Sequence, residues 1–156
     1  MIDSFLKVDV STVTAPRDRS ATGNLWLDVG GCKFPAEGWN DLVVVVLGWW
    51  VNAVLRLLSN DSSCEVVNFM DGPYTVRVSM TSAEMLEFRA LAGIGRDIEK
   101  AKGEALPNAF AESLISQSHE VISACRRQGW WSRDAEDLAS SLGLLQVELH
   151  RFSSRK

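Results

Sequence analysis

Three features of the sequence predict an α+β fold: segments in which apolar and polar residues alternate, one long stretch almost free of charge, and a C-terminal third in which apolar residues recur at helical spacing. Together they describe an antiparallel β-sheet of about four to six strands packed against a central apolar helix and two C-terminal helices. The length of 156 residues suits a single domain, 1-156, large enough to hold one core.

The first element follows from alternation in "FLKVDVSTVT", residues 5–14. Leu6, Val8 and Val10 fall on one face and Lys7, Asp9 and Ser11 on the other, as in a half-buried strand. "APRDRSATGN" supplies turn residues, and "LWLDVGG" resumes the alternation through Leu25, Leu27 and Val29 until Gly30 and Gly31 end it. These two runs predict an antiparallel pair.

"DLVVVVLGWW", residues 41–50, could be a membrane anchor, a buried strand or a core helix. Its uncharged part, Leu42 to Val51, is half of the ~20 residues that a membrane helix needs, and Asn52 and Arg56 interrupt the apolar run beyond it. Valine favours strands, but no turn signal occurs before Leu58, and Asn40 or Asp41 is placed to cap free amides at a helix start. The reading is a helix over 41–58 with Leu47, Val51, Val54, Leu55 and Leu58 on one stripe. Its first half is apolar all round, so it needs cover on more than one side, from a sheet and a second helix or from a second copy of the chain.

A loop at "SNDSS" leads into "CEVVNFM" and "YTVRVSM", two strands that reverse at Asp71-Gly72-Pro73. Tyr74, Val76, Val78 and Met80 face one way, and Thr75, Arg77 and Ser79 the other. "AEMLEFRAL" is read as a further strand rather than a short helix capped by Ser82. After the turn at "GIGRD", "IEKAKGEAL" is read as a polar edge strand whose Lys100, Lys102 and Glu104 oppose aggregation.

Beyond Pro107 and Asn108, Phe110, Leu114, Val121 and Cys125 share one helical stripe, while Glu112, Gln117, His119 and Glu120 occupy the opposite face. Arg126 and Arg127 suit its last turn, and Gly129 its termination. A second helix restarts at Ser132, with Asp134 and Glu136 in its first turn. Leu138, Leu142, Leu145, Leu149 and Phe152 carry its spacing past Gly143, although "LQVELH" also alternates like a strand.

The formal charge of −4 and pI near 5.2 argue against nucleic acid as partner, since phosphate binding calls for a basic surface. Cys32, Cys64 and Cys125 are odd in number and widely spaced, which indicates reduced thiols and a cytoplasmic protein rather than a disulfide framework or zinc site. The first residues carry no signal-peptide pattern, and no membrane association is expected.

No catalytic, cofactor-binding or metal-binding set emerges. His119 and His150 have no partners at catalytic spacing, and "GIGRDI" places Ile98 where a dinucleotide fingerprint needs glycine. The carboxylate pairs Glu84 with Glu87 and Asp97 with Glu99 have a spacing common on solvated surfaces. Trp130 and Trp131 follow the helix-ending glycine, where one can cap the core and the other anchor a partner, although core packing suits both. Trp26, on the polar face of its strand with Asp28, is the better candidate for an exposed aromatic.

"GWNDLVVVVLGWWVNAVLRLL", "VNFMDGPYTVRV" and "ACRRQGWW" resemble segments of small bacterial proteins of uncharacterised or immunity type, which accompany toxins of contact-dependent and polymorphic secretion systems. The resemblance implies a cytoplasmic antidote that binds a cognate protein toxin and has no catalytic motif. For a nuclease toxin with a basic cleft, acidic side chains would provide complementarity. Asp134, Glu136 and Asp137 form one candidate patch, Glu84, Glu87, Asp97 and Glu99 another, with Trp26 as an aromatic contact. A small ligand-binding domain or enzyme with an apolar pocket near the tryptophans is the alternative, and a structural homodimer a third reading.

Overall fold

The computed structural model describes residues 3–155. Among these the α+β class holds, with the strands shared between two four-stranded antiparallel sheets. The first sheet contains β1 (Phe5–Thr14), β2 (Thr22–Val29), β3 (Cys32–Phe34) and β4 (Asn40–Asp41), with β2 paired to the other three. Helix α1 (Val43–Leu58) follows. The second sheet runs in the order β5 (Cys64–Asn68), β6 (Tyr74–Met80), β7 (Leu86–Ala92) and β8 (Ile98–Ala105). Helices α2 (Pro107–Arg127) and α3 (Arg133–Ser154) complete the chain. The division has a simple cause: α1 interrupts the run of strands and lies buried in the core, so each group of strands closes locally by short antiparallel connections.

The valine and tryptophan stretch is the centre of this core. Val43, Val44, Val46, Leu47, Trp50, Val51, Ala53, Val54, Leu57 and Leu58 are buried, and α1 packs on α2, α3, β2 and β5. It therefore receives the cover from both sheet and helix that its all-round apolar surface requires. Trp50, Phe88 and Phe110 bring α1, β7 and α2 together, with ring centroids 4.8 to 6.3 Å apart.

The start of α1 corrects one expectation. Asn40 and Asp41 are strand residues, the N-cap position is Leu42, and no side chain caps the helix. Asp41 is instead 5% exposed and accepts hydrogen bonds from the Leu42 amide (2.7 Å), the Trp39 indole (3.1 Å) and the Met70 amide (3.0 Å). One carboxylate thus ties the entry of α1 to the turn between β5 and β6, and its several donors compensate its burial.

Helix α2 lies against β1 and closes that strand's outer edge. The Gln117 side chain accepts from the Val8 amide (2.7 Å) and donates to the Leu6 carbonyl (2.5 Å). Gln128 repeats the arrangement with the Ala15 amide and the Val13 carbonyl, both at 2.8 Å. Each primary amide presents one donor and one acceptor, as a neighbouring strand would, so the two satisfy backbone groups that the edge otherwise leaves open.

The two sheets meet where Gly103 of β8 approaches the β2 to β3 turn. A Cβ at Gly103 would collide with the Ser4 hydroxyl and lie 2.8 Å from the Gly30 nitrogen, so only glycine fits. Beside it the Ser4 amide donates to the Glu104 carbonyl (2.9 Å), which covers part of the β8 edge. No helix among the described residues is long and apolar enough to cross a membrane.

Candidate functional site

Helix α2 ends in a turn that sends two consecutive tryptophans in opposite directions. Gly129 adopts φ +73°, the Trp130 amide donates to the Cys125 carbonyl (3.0 Å), and the Gly129 amide donates to the Arg126 carbonyl (2.9 Å). This is the paired closure of a Schellman motif, in which glycine takes the left-handed position without a Cβ penalty. The chain then extends into Ser132, whose hydroxyl caps α3 by accepting from the Ala135 amide (3.3 Å). Between these two caps Trp130 turns inward and Trp131 outward.

Trp130 is buried, and its indole donates to the Arg19 carbonyl (2.8 Å), which holds the β1 to β2 loop against the junction of α2 and α3. Trp131 is 39% exposed and stacks with the Arg126 guanidinium, 4.3 Å from the ring centroid. That contact pins the ring by about 0.5–1 kcal/mol at an exposed site and so reduces the rotamer freedom a partner would have to remove. A hollow of about 670 Å³ lies beside it, lined by Arg126, Gly129, Trp130, Trp131, Glu136, Ala139 and Ser140. On the other side of the tryptophans a hollow of about 430 Å³ is bounded by Arg17, Asp18, Arg19, Ser20, Ser132 and Asp134.

The acidic residues singled out in the sequence divide between two unlike environments. Asp134 and Glu136 line the hollows beside Trp131, and Asp137 is exposed one residue further along α3. Among the described residues no salt bridge engages these three. Asp134 and Glu136 also stand in the first turn of α3, where negative charge complements the helix dipole. The surroundings are of mixed sign, because Arg17, Arg19 and Arg126 share the same rim.

The second acidic group lies elsewhere and is largely neutralised. Glu87 pairs with Arg89 (3.7 Å) and Lys102 (3.8 Å), Glu99 with Arg89 (3.4 Å), and Asp97 with Arg77 (3.6 Å). Strand register causes this: Arg77 stands opposite Arg89, which stands opposite Lys102, a row of cations across the outer face of the second sheet. Glu84 sits apart in the turn before β7 with φ +57°. Trp26 departs from expectation too, since it is partly buried and its indole nitrogen is buried with no hydrogen-bond partner among the described residues. Lys7 stands directly opposite it on β1, and the aliphatic stem of a lysine readily shields such a ring.

Both histidines are exposed and lie outside these hollows. Cys32 and Cys64 are exposed free thiols, while burial raises the pKa of the Cys125 thiol on the inner face of α2. Among the described residues no three His, Cys, Asp or Glu side chains converge as metal ligands.

Comparison with protein families, curated proteins and solved structures finds no match to this chain. The Trp131 surface therefore has to be interpreted from its own chemistry. Its signal in the sequence was Gly129-Trp130-Trp131-Ser132, a helix stop and a helix start around two tryptophans. The contributions of Arg17, Arg19 and Arg126 were not visible there, because the first two arrive from a loop more than a hundred residues away.

Proposed function

We propose that this protein is a non-catalytic, cytoplasmic binding protein that engages a partner protein through the Trp131 surface. The observation that carries the reading is Trp131 itself, a partly exposed indole held by Arg126 between two hollows. Tryptophan and arginine are the side chains that most often dominate protein interfaces, because each combines a broad apolar face with hydrogen-bonding capacity. The carboxylates of Asp134, Glu136 and Asp137, which no salt bridge engages among the described residues, then supply orientation and charge complementarity at the rim. Exposed thiols at Cys32 and Cys64 suit a reducing compartment.

The resemblance of the core and turn segments to immunity-type proteins gives this binding a biological form, the neutralisation of a cognate bacterial toxin. A nuclease with a basic cleft is the partner that the three carboxylates would complement. The test is coexpression with the product of the neighbouring gene followed by copurification. A complex that forms with the parent chain and is lost with Trp131→Ala supports the reading. A parent chain that leaves the coexpressed product unbound and active contradicts it.

A further inference from the structure

The two sheets treat their edges differently. On the first, β1 is closed by Gln117 and Gln128, while β3 and β4 are only three and two residues long. On the second, Ser4 bonds to Glu104 of β8, whose exposed stretch carries Lys100 and Lys102. Covered, short and lysine-bearing edges all resist the addition of another strand. Along Cys64, Val66 and Asn68, all of them exposed, strand β5 carries no lysine, and among the described residues no side chain bonds to its outer backbone groups, although α1 packs beside it.

The direction of its free backbone groups follows from the register. The Phe69 amide donates to the Tyr74 carbonyl (3.1 Å) and the Met80 amide to the Ser63 carbonyl (3.0 Å), which makes both of these hydrogen-bonded pairs. Pairs alternate along an antiparallel ladder, so Glu65 with Val78 and Val67 with Val76 are hydrogen-bonded as well. The N–H and C=O groups of Cys64, Val66 and Asn68 are thereby directed to the outer edge, where no strand among the described residues pairs with them. They repeat every ~6.8 Å, the spacing of an incoming strand's own groups.

A hollow of about 320 Å³ lies beside this edge, between Val66 and Asn68 of β5 and Trp49, Asn52 and Arg56 on the outer side of α1. Trp49 is 37% and Val66 57% exposed. We propose that the edge of β5 is a second docking site, which takes an extended peptide segment of a partner protein as an added antiparallel strand with an apolar side chain seated against Trp49 and Val66. The occupant follows from the ladder, because a row of alternating donors and acceptors is matched by another extended backbone. A second copy of this chain fits less well. The apolar surface of Trp49 and Val66 is on the order of 200 Å² per copy, below the roughly 300 Å² of apolar area per partner in even a minimal specific interface.

The test uses a phage-displayed library of short random peptides panned against the full chain. A selected peptide is then titrated into isotope-labelled protein while amide exchange is followed. The expected result is new protection at Cys64, Val66 and Asn68, with selected sequences alternating apolar and polar residues. Val66→Pro removes one outward N–H that the β5 to β6 ladder does not use, so the fold persists and the affinity falls at least about tenfold. Retained protection of the Val67 and Val76 amides verifies that this variant is folded, and Trp49→Ala provides a second route to weakened binding. Recovery of no peptide, or of peptides that protect other amides, overturns the proposal. Edge protection that rises with protein concentration alone and is lost in Val66→Pro also overturns it, in favour of a second copy.

Discussion

Replacing Gln117 by methionine isolates the contribution of one amide clamp on β1. Methionine retains the length and helix propensity of glutamine, so α2 itself is little affected. Besides a bond to the Ser113 hydroxyl within α2 (3.1 Å), what disappears is the pair of bonds to the Val8 amide and the Leu6 carbonyl, both partly buried. Each is worth about 1 kcal/mol net, and leaving the two backbone groups without partners under a thioether adds about another 1 kcal/mol, a total of about 2–3 kcal/mol. In urea denaturation this corresponds to a midpoint lower by about 1 M with an unchanged slope. Gln128→Met removes the second clamp, about 16 Å away along the helix, so the losses in the double variant are expected to add. If both single variants lie within about 0.5 kcal/mol of the parent, the clamps do not stabilise the edge and the account of β1 is wrong.

Other positions give equally direct readouts. Asp41→Ala strands the Leu42 and Met70 amides and the Trp39 indole, and a loss of about 3 kcal/mol or more is expected by chemical denaturation, with a changed near-ultraviolet signal from Trp39. Gly143→Ala, where an added Cβ meets nothing within 4 Å, raises the thermal midpoint by an equivalent of about 1 kcal/mol, whereas Gly103→Ala lowers it through collision with Ser4 and Gly30. For the Glu65 carboxyl, burial acts to raise the pKa, but hydrogen bonds from Arg56 and Ser62 and the Arg56 charge outweigh it and hold the value below the usual 4.5. A depressed carboxylate stabilises the fold above its unfolded value, and that contribution fades as pH falls below about 4.5 through the folded value. Glu65→Gln is therefore expected to flatten the acid limb of the stability profile measured by urea titration.

The parts of the fold that were legible in the sequence are those governed by neighbouring residues. Alternation in residues 5–14 and 74–80 marked strands, Asp71-Gly72 a reversal, and Ser132 a helix start, because side-chain period and cap chemistry act over a few residues. Apolar length separated the α1 helix from a strand for the same reason. Asp41 matches an N-cap by its position before an apolar run, whereas its actual donors include Met70, brought near only by the folding of the second sheet. Gln117 looked like a solvated helix residue for want of any local sign that β1 would lie beside it. The pairing of Glu87, Asp97 and Glu99 with cations depended on the register of β6, β7 and β8, which composition does not encode. Trp130 and Trp131 stand between these cases: the Schellman glycine was visible, and the sense in which it turned each ring followed only from the closed motif.

The most direct test of the Trp131 surface is titration of the purified neighbouring gene product into the parent chain and into Trp131→Ala, followed by calorimetry. A central interface tryptophan is worth about 2 kcal/mol or more on truncation, so affinity is expected to fall at least about thirtyfold, with the melting temperature of the free variant close to that of the parent. Equal affinity of the two proteins for that product would contradict the account.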